Sequence, residues 1–524
     1  MPTELPRPPA RYSEMASPSS FILSIDQGTS STKAMLVDSL GGVYRSASCP
    51  VGQSHPHPGW VEQSAAEIWA SIRRAVRDCV TDDIARAVVG VALSVQRESV
   101  TMWDTNTGAS IGPVLSWQDQ RTAPAADELE RAGVSEKIFA TSGLPLDPMF
   151  SALKAGWLLD EFDPQRDRAR SGRWRIGTID AWLLSRFGGE PVTEAGNASR
   201  TQLLNIHTAS WDSSLLEMFG VPEGALPRVV ASTGPFPTIR DLDPLPDGLP
   251  VLAVLADSHA ALFAHAGWRP GVVKATYGTG SSVMAIGPHH TADSGVCSTI
   301  AWDVGGVTHA LEANIRSTGR TMSWLSEVLD VDVDRLWHDA ETATSDGVVM
   351  VPAFGGLGAP VWDRNATPVI SGLSLGTRRP QLARAALESI AFQIDDVIAA
   401  FRDTAGPMQG LACDGGMTRS RALMQLQADI SGLPVYVSTT PNLSALGAAY
   451  LAGLQVGWWT FTALEDAVNG TEDRPLLPQL DDDERQARRD VWANAVNRSR
   501  GASEAPATST GGHAGQSRSH TPQP

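Results

Sequence analysis

The chain has 524 residues, 42% hydrophobic and 19% charged, the balance of a soluble globular protein too long for one hydrophobic core, so two large domains are expected. A formal net charge of −17 argues against binding a nucleic-acid backbone or an anionic membrane surface, but not against a phosphorylated small molecule held by local donors. Cys49, Cys79, Cys297 and Cys413 are scattered without a C-x-x-C pair, as incidental thiols of a reducing compartment would be. With no apolar leader and no stretch of membrane-span length, the expected location is cytoplasmic.

Residues 1–20 hold five prolines and no periodicity, and read as a disordered leader. From Phe21 the pattern is strand (21–25), glycine turn, strand (34–37), a Gly41-Gly42 turn and strand (43–48), an antiparallel meander. The first turn, Asp26-Gln27-Gly28-Thr29-Ser30-Ser31, presents backbone N–H groups and hydroxyls that suit a phosphate, beside an acid that suits Mg2+. Taken alone, such a turn is more often a plain hairpin connection.

Ser64, with Glu67 three residues on, has capping-box spacing and opens a helix burying Ile68, Ile72, Ala75, Val76 and Cys79. Val88 to Val95 is a doubly buried strand that runs into Gln96-Arg97-Glu98-Ser99. Polar residues at such a strand end are well sited for a ligand, or form a surface Arg–Glu pair. Trp117 follows a further short apolar segment and reads as packing.

Helical pieces appear at 125–140 and 151–160, and Thr178 to Leu184 opens another. Proline and glycine make 234–250 a loop. Val251 to Leu255 is again a buried strand, ending at Asp257, where an acid could serve as an N-cap for a helix over 260–266.

The second half restarts at Val272 with strand, Gly278-Thr279-Gly280 turn and strand (282–286), then strands at 297–303 and 307–313. This repeats the order seen from Phe21 and suggests internal duplication around a nucleotide. A Gly-rich loop at 353–360 and an amphipathic helix over 382–401 follow. Asp414-Gly415-Gly416 then leads to a helix (419–430), a strand (435–437) and a small-residue helix around 445–449. Beyond residue 500 the Gly, Ser, Thr and Pro content reads as a disordered tail.

Together these pieces resemble the FGGY family of sugar and polyol kinases, its glycerol kinases most closely. The resemblance rests on Asp26 to Ser31, Gln96-Arg97-Glu98, Trp117-Gln118, Asn197-Ala198-Ser199-Arg200-Thr201, Tyr277 to Gly280, Pro352 to Pro360, Asp414-Gly415-Gly416 and Ala445 to Tyr450, and runs from Phe21 to about residue 495. The fold it implies is α/β: two RNase H-like domains of the actin-like ATPase type, each a mixed sheet with flanking helices, around a nucleotide cleft. The expected domains are 21–266, binding the polyol and carrying the first phosphate turn, and 267–499, binding ATP; 500–524 is the tail. The implied reaction is ATP- and Mg2+-dependent phosphorylation of a small polyol hydroxyl, glycerol to glycerol 3-phosphate, with a longer polyol or ketopentose as the alternative. A non-catalytic nucleotide switch of the same fold is the rival from another class.

The resemblance also assigns residues. Asp257 matches the catalytic base and Asp26 the acid that holds Mg2+. Gln27, Gly28, Thr29 and Ser30 with Gly278, Thr279 and Gly280 match the two phosphate turns, and Gly319, Gly415 and Gly416 match the adenosine end. Arg97, Glu98 and Trp117 match contacts to the acceptor. Met149, Ser258 and Ser282 stand where glycerol kinases have a tyrosine, a glutamine and a phenylalanine, which implies a roomier pocket and puts the acceptor in question. The 234–250 loop lacks the Gly-Gly-x-Gly-Gly-x-Arg element that binds fructose 1,6-bisphosphate in some glycerol kinases, so no such inhibition is expected. The implied partner is a small polyol or sugar, with no nucleic acid and no membrane insertion; a homodimer or homotetramer is left open.

Overall fold

The computed structural model describes residues 20–289, 295–438, 440–469 and 474–501, so the expected leader and nearly all of the expected tail lie outside the described residues. Two sheets dominate. The first contains β1 (Phe21–Gln27), β2 (Ser31–Asp38), β3 (Val43–Pro50), β4 (Val88–Val95) and β5 (Val251–Ala256), in the order β5-β4-β1-β2-β3. The second contains β6 (Val272–Tyr277), β7 (Ser281–Ile286), β8 (Cys297–Asp303), β9 (Val307–Ile315), β10 (Gly410–Asp414) and β11 (Val435–Val437), in the order β8-β9-β7-β6-β10-β11.

The duplication is visible in the pairing. In each half a strand and its hairpin partner are antiparallel (β1 with β2, β6 with β7), a third strand extends the meander (β3, β9), and two parallel strands complete the other side (β4 and β5, β10 and β11). One expectation is corrected in detail. The meander's third strand is β9; β8 pairs only with β9 and forms an added edge. A smaller sheet (Glu62–Gln63, Val100–Asp104, Ser110–Leu115, Trp174–Thr178) extends the first half and delivers the segment carrying Trp117.

Helices form where the spacing predicts, with adjusted ends. Ser64 caps the helix Ala65–Cys79 by accepting from the Glu67 amide at 3.3 Å. The expected helix over 125–140 is two, Ala123–Arg131 and Ser135–Ser142, because Gly133 takes φ +74 between them. The helix after β5 is Asp257–Ala264, so Asp257 lies in its first turn, Ala256 is the N-cap, and the capping role is not realised. The amphipathic helix of the second half extends over Arg379–Ala405. The last helix, Asp482–Gly501, was not foreseen: it is highly charged and buries only Arg485, Trp492, Ala495 and Ser499.

The halves meet through helices. Asp257–Ala264 packs on Leu443–Gln455, and a Cβ on Gly447 would stand 1.8 Å from the Ala260 carbonyl oxygen, so glycine sets their separation. One core cluster takes Ile22, Ala260 and Phe263 from the first half with Met284, Ala448 and Leu451 from the second. Ser24 Oγ also donates to Ala445 O across this contact at 2.6 Å. Among the described residues no helix is long and apolar enough to cross a membrane.

Candidate functional site

The site lies where strand ends from both sheets converge. β1 ends in the tight turn the sequence marks: Gly28 N donates to Ser31 O at 3.0 Å, leaving Gly28, Thr29 and Ser30 at the rim. Register decides what Asp26 meets, because Ser94 on β4 and Lys33 on β2 are its neighbours in the sheet. Ser94 Oγ donates to Asp26 Oδ1 at 2.7 Å, and Lys33 Nζ lies 3.6 Å from Oδ2. Burial raises the Asp26 carboxyl above its ordinary range, against the pull of Lys33 and Ser94. Among the described residues no three or more His, Cys, Asp or Glu side chains are grouped so that they could hold a metal ion. One carboxylate still fits Mg2+, which keeps several waters and takes further ligands from substrate phosphates. When bound there, the ion would neutralise phosphate charge.

The adjoining parallel strands end in charge. Arg97 and Glu98 follow β4, both buried, with Glu98 at φ +60, an unusual conformation for a residue with a side chain. Asp257 follows β5, and its Oδ1 lies 3.4 Å from Arg97 Nε. About a third of the Asp257 side chain (32%) stays accessible, so the carboxylate can meet a ligand. Burial pushes its pKa to about 6; Arg97 opposes the rise, and Asp26 and Glu98 add to it.

The second sheet closes the site by alternation. Val273, Ala275 and Tyr277 of β6 point into its core, so Lys274 and Thr276 point toward the first half. In the same cross-strand row as Thr276 stand Asp414, Ser282 and Asn314; in the row of Lys274 stand Ala412, Met284 and Glu312. The β6–β7 turn is closed by Gly278 N donating to Gly280 O at 3.0 Å, and Gly319 N donates to Gly278 O at 3.1 Å. Gly415 takes φ +101 and a Cβ on it would lie 2.3 Å from Tyr277 O, so only glycine passes there. Asp414 Oδ2 lies 2.9 Å from His265 Nε2.

A cavity of about 630 Å³ is lined by Asp257, Ser258, Lys274, Ser282, Gly415 and Gly416, among others. The structure therefore gathers one assigned acid, two assigned acceptor residues and two assigned nucleotide glycines around one space. Arg97 joins them through Asp257, and Glu98 through Arg97. Gly319 lies one step away, against the Gly278 turn. Trp117 and Met149 stand off the cavity, on the wall of the first half. Trp117 Nε1 donates to Thr29 Oγ1 at 3.0 Å. Met149 packs beside Leu144, Phe150 and Cys297, and its carbonyl accepts from the buried Lys154 ammonium at 2.6 Å. Lys154 also donates to Ser116 O at 3.1 Å, so one lysine ties the Trp117 and Met149 segments together. Gln27 faces inward: its Oε1 accepts from Gln96 Nε2 at 3.0 Å.

Two charged groups were given no role by sequence reasoning, and a third, Arg200, entered only as part of a motif. Glu312 is fully buried; Arg97 Nη1 donates to its Oε2 at 2.7 Å, and Arg200 Nη1 lies 3.1 Å from the same oxygen. Arg200 Nε donates to Glu98 Oε1 at 2.6 Å. Lys274 is buried on the cavity floor. The available signal was a single charge inside an apolar strand, Ala310-Leu311-Glu312-Ala313 and Val272-Val273-Lys274-Ala275.

Residues 21–264 match the model of the FGGY family of carbohydrate kinases, N-terminal domain, and residues 273–456 match that of the C-terminal domain. A glycerol kinase from Aromatoleum aromaticum is 41% identical over 497 residues, covering 92% of this chain and 99% of the relative. An apulose kinase from Pectobacterium atrosepticum is 41% identical over 446 residues, covering 84% and 90%. The crystal structure of Plasmodium falciparum glycerol kinase with ADP superposes with a TM-score of 0.86 at 29% identity, covering 92% of this chain and 98% of that one. The chain belongs to the FGGY family of carbohydrate kinases, phosphotransferases that use ATP and Mg2+ and take an alcohol group as acceptor.

Proposed function

We propose that this kinase phosphorylates a hydroxyl of glycerol or a closely related small polyol, with Asp257 as the base. The observation that carries the reading is Asp257 itself, at a strand end, open to the cavity and 3.4 Å from Arg97. A carboxylate with a pKa of about 6 is mostly ionised at neutral pH yet basic enough to accept a hydroxyl proton as charge moves to phosphate. Arg97 and Glu98 offer a donor and an acceptor to neighbouring hydroxyls, with Trp117, Met149, Ser258 and Ser282 as the remaining walls. The Gln27 to Ser30 and Gly278 to Gly280 turns hold phosphates from the two sides, Asp26 holds Mg2+ through water, and Gly319, Gly415 and Gly416 face the nucleoside end. Most of the rate then comes from positioning and charge stabilisation.

A ketopentose acceptor is the second reading. It is supported by the small side chains Ser258 and Ser282 on a cavity of about 630 Å³ and by the likeness to an apulose kinase. An ATP-consumption screen over glycerol, erythritol, threitol, xylitol, ribulose and xylulose separates the two. Glycerol or a tetritol leading in kcat/KM supports the proposal, and a ketopentose leading by a wide margin overturns it. Asp257→Asn should keep ATP binding and lose transfer; full activity in that variant would remove the base assignment.

A further inference from the structure

Most charges around the cleft are already spent. Arg97 is taken by Glu312, Asp257 and Glu98, Lys33 by Asp26, and His265 by Asp414. Lys274 differs. It is 1% exposed and lines the cavity with Asp257, Gly415 and Gly416. Among the described residues, no hydrogen bond and no ion pair within 4 Å occupies its ammonium. Asp414, Glu312 and Asp257 act on it only at longer range. An isolated buried ammonium is costly to keep, which is tolerable where a ligand completes it. Its position narrows the ligand. Lys274 lies one same-face row below Thr276, Ser282 and Asp414, on the sheet face turned toward Asp257, three residues before Tyr277, which opens into the Gly278 turn.

We propose that Lys274 is a catalytic residue that grips the transferring phosphoryl group, donating hydrogen bonds to its non-bridging oxygens between Asp257 and the glycine turns. The inference rests on the phosphotransfer reading above and adds a group to it. As the acceptor oxygen bonds to the γ-phosphorus, the bond from that phosphorus to the bridging oxygen breaks and its electron pair leaves with ADP. The acceptor proton passes to Asp257. Lys274 keeps its protons throughout and supplies positive charge where the migrating group carries negative charge. Burial lowers the Lys274 pKa, and a bound polyphosphate would reverse that pressure.

The test uses the full-length protein and Lys274→Met, which keeps the volume and removes the charge. The expected result has three parts: kcat falls about 100-fold or more; ADP affinity stays within about threefold, because ADP lacks the migrating group; and Tm is equal to or above that of the parent, because an unpaired buried charge is gone. Aluminium fluoride, which mimics the migrating group, should tighten ADP binding in the parent and not in Lys274→Met. A second variant, Lys274→Ala, should regain activity with added methylammonium. A kcat within about threefold of the parent, or unchanged tightening by aluminium fluoride, overturns the proposal. So does a lower Tm in Lys274→Met accompanied by lost ADP binding, which would mark a structural lysine. Because the aluminium fluoride measurement needs no turnover, it still decides on Lys274 if every tested acceptor proves wrong.

Discussion

The Trp117 indole donates its only hydrogen bond to the hydroxyl of Thr29, 3.0 Å away and 88 residues earlier in the chain. A residue of the β1–β2 turn, the proposed phosphate turn, therefore positions a proposed wall of the acceptor space. The hydroxyl accepts from the indole with a lone pair and keeps its own proton to donate, in the proposed reading to a phosphate oxygen. Thr29→Val should remove both contacts, each worth about 1 kcal/mol, and raise the KM of acceptor and of ATP by about fivefold. Thr29→Ser should leave both near the parent values. Steady-state kinetics with each substrate varied checks this, and a change confined to ATP would mean the indole contact is inert.

Asp257 sets the pH dependence. Its pKa of about 6 exceeds the ordinary carboxylate value of 3.8 because burial and the nearby Asp26 and Glu98 carboxylates disfavour its charge. As the proposed base, Asp257 works ionised, so kcat/KM should rise with pH through about 6 and then level. Asp257→Asn should remove that limb and lower kcat by about 10² to 10⁴. The linked stability has the opposite sign. A carboxyl raised on folding stabilises the fold below its unfolded pKa, and that contribution fades as pH rises through about 6. At pH 8 the asparagine variant should melt no lower than the parent, as thermal unfolding would show.

Gly415 and Gly416 separate folding from binding. A Cβ on Gly415 meets the Tyr277 carbonyl oxygen at 2.3 Å with φ at +101, whereas a Cβ on Gly416 meets nothing within 4 Å. Gly415→Ala should cost about 1–3 kcal/mol in urea unfolding. Gly416→Ala should fold like the parent and lose nucleotide affinity only if that backbone faces the nucleotide, which ADP calorimetry reads directly.

What the sequence made legible follows from range. The turns at Gly28, Gly278 and Gly415 are local chemistry, so their glycines and hydroxyls announce them. The doubly buried β4 and β5 announce themselves as unbroken apolar runs, which placed Arg97, Glu98 and Asp257 at strand ends. Strand register is not local. That Ser94 and Lys33 flank Asp26, or that β9 rather than β8 continues the meander, depends on pairings no single segment encodes. Arg97 and Glu312 lie 215 residues apart and meet only because the two sheets face each other.

That pairing supports the last prediction. Glu312 is fully buried on the second sheet and holds Arg97 and Arg200, both carried by the first half, with Arg200 in turn on Glu98. Burial alone would raise its carboxyl, yet Arg200 and Arg97 outweigh that and hold it well below the usual carboxylate range. Two guanidinium groups thus share the Glu312 charge, with Glu98 as their other common partner. Arg200 has no slack, because its Nη1 is held only by the ion pair with Glu312 and its Nη2 has no hydrogen-bond partner among the described residues. Glu312→Gln should leave them under-compensated and cost about 3–5 kcal/mol, far above an exposed ion pair. A group whose folded pKa is depressed lends its stability above the unfolded pKa and loses it as pH falls. The parent should therefore weaken on acidification below about pH 4.5, and Glu312→Gln should lack that portion of the loss. Arg97 would also be freed to close on Asp257, lowering the acid limb of kcat/KM below 6. Urea unfolding at pH 7 and pH 4, with a pH–rate profile on the same variant, checks both effects, and an unchanged stability at pH 7 would show that the clasp contributes nothing net.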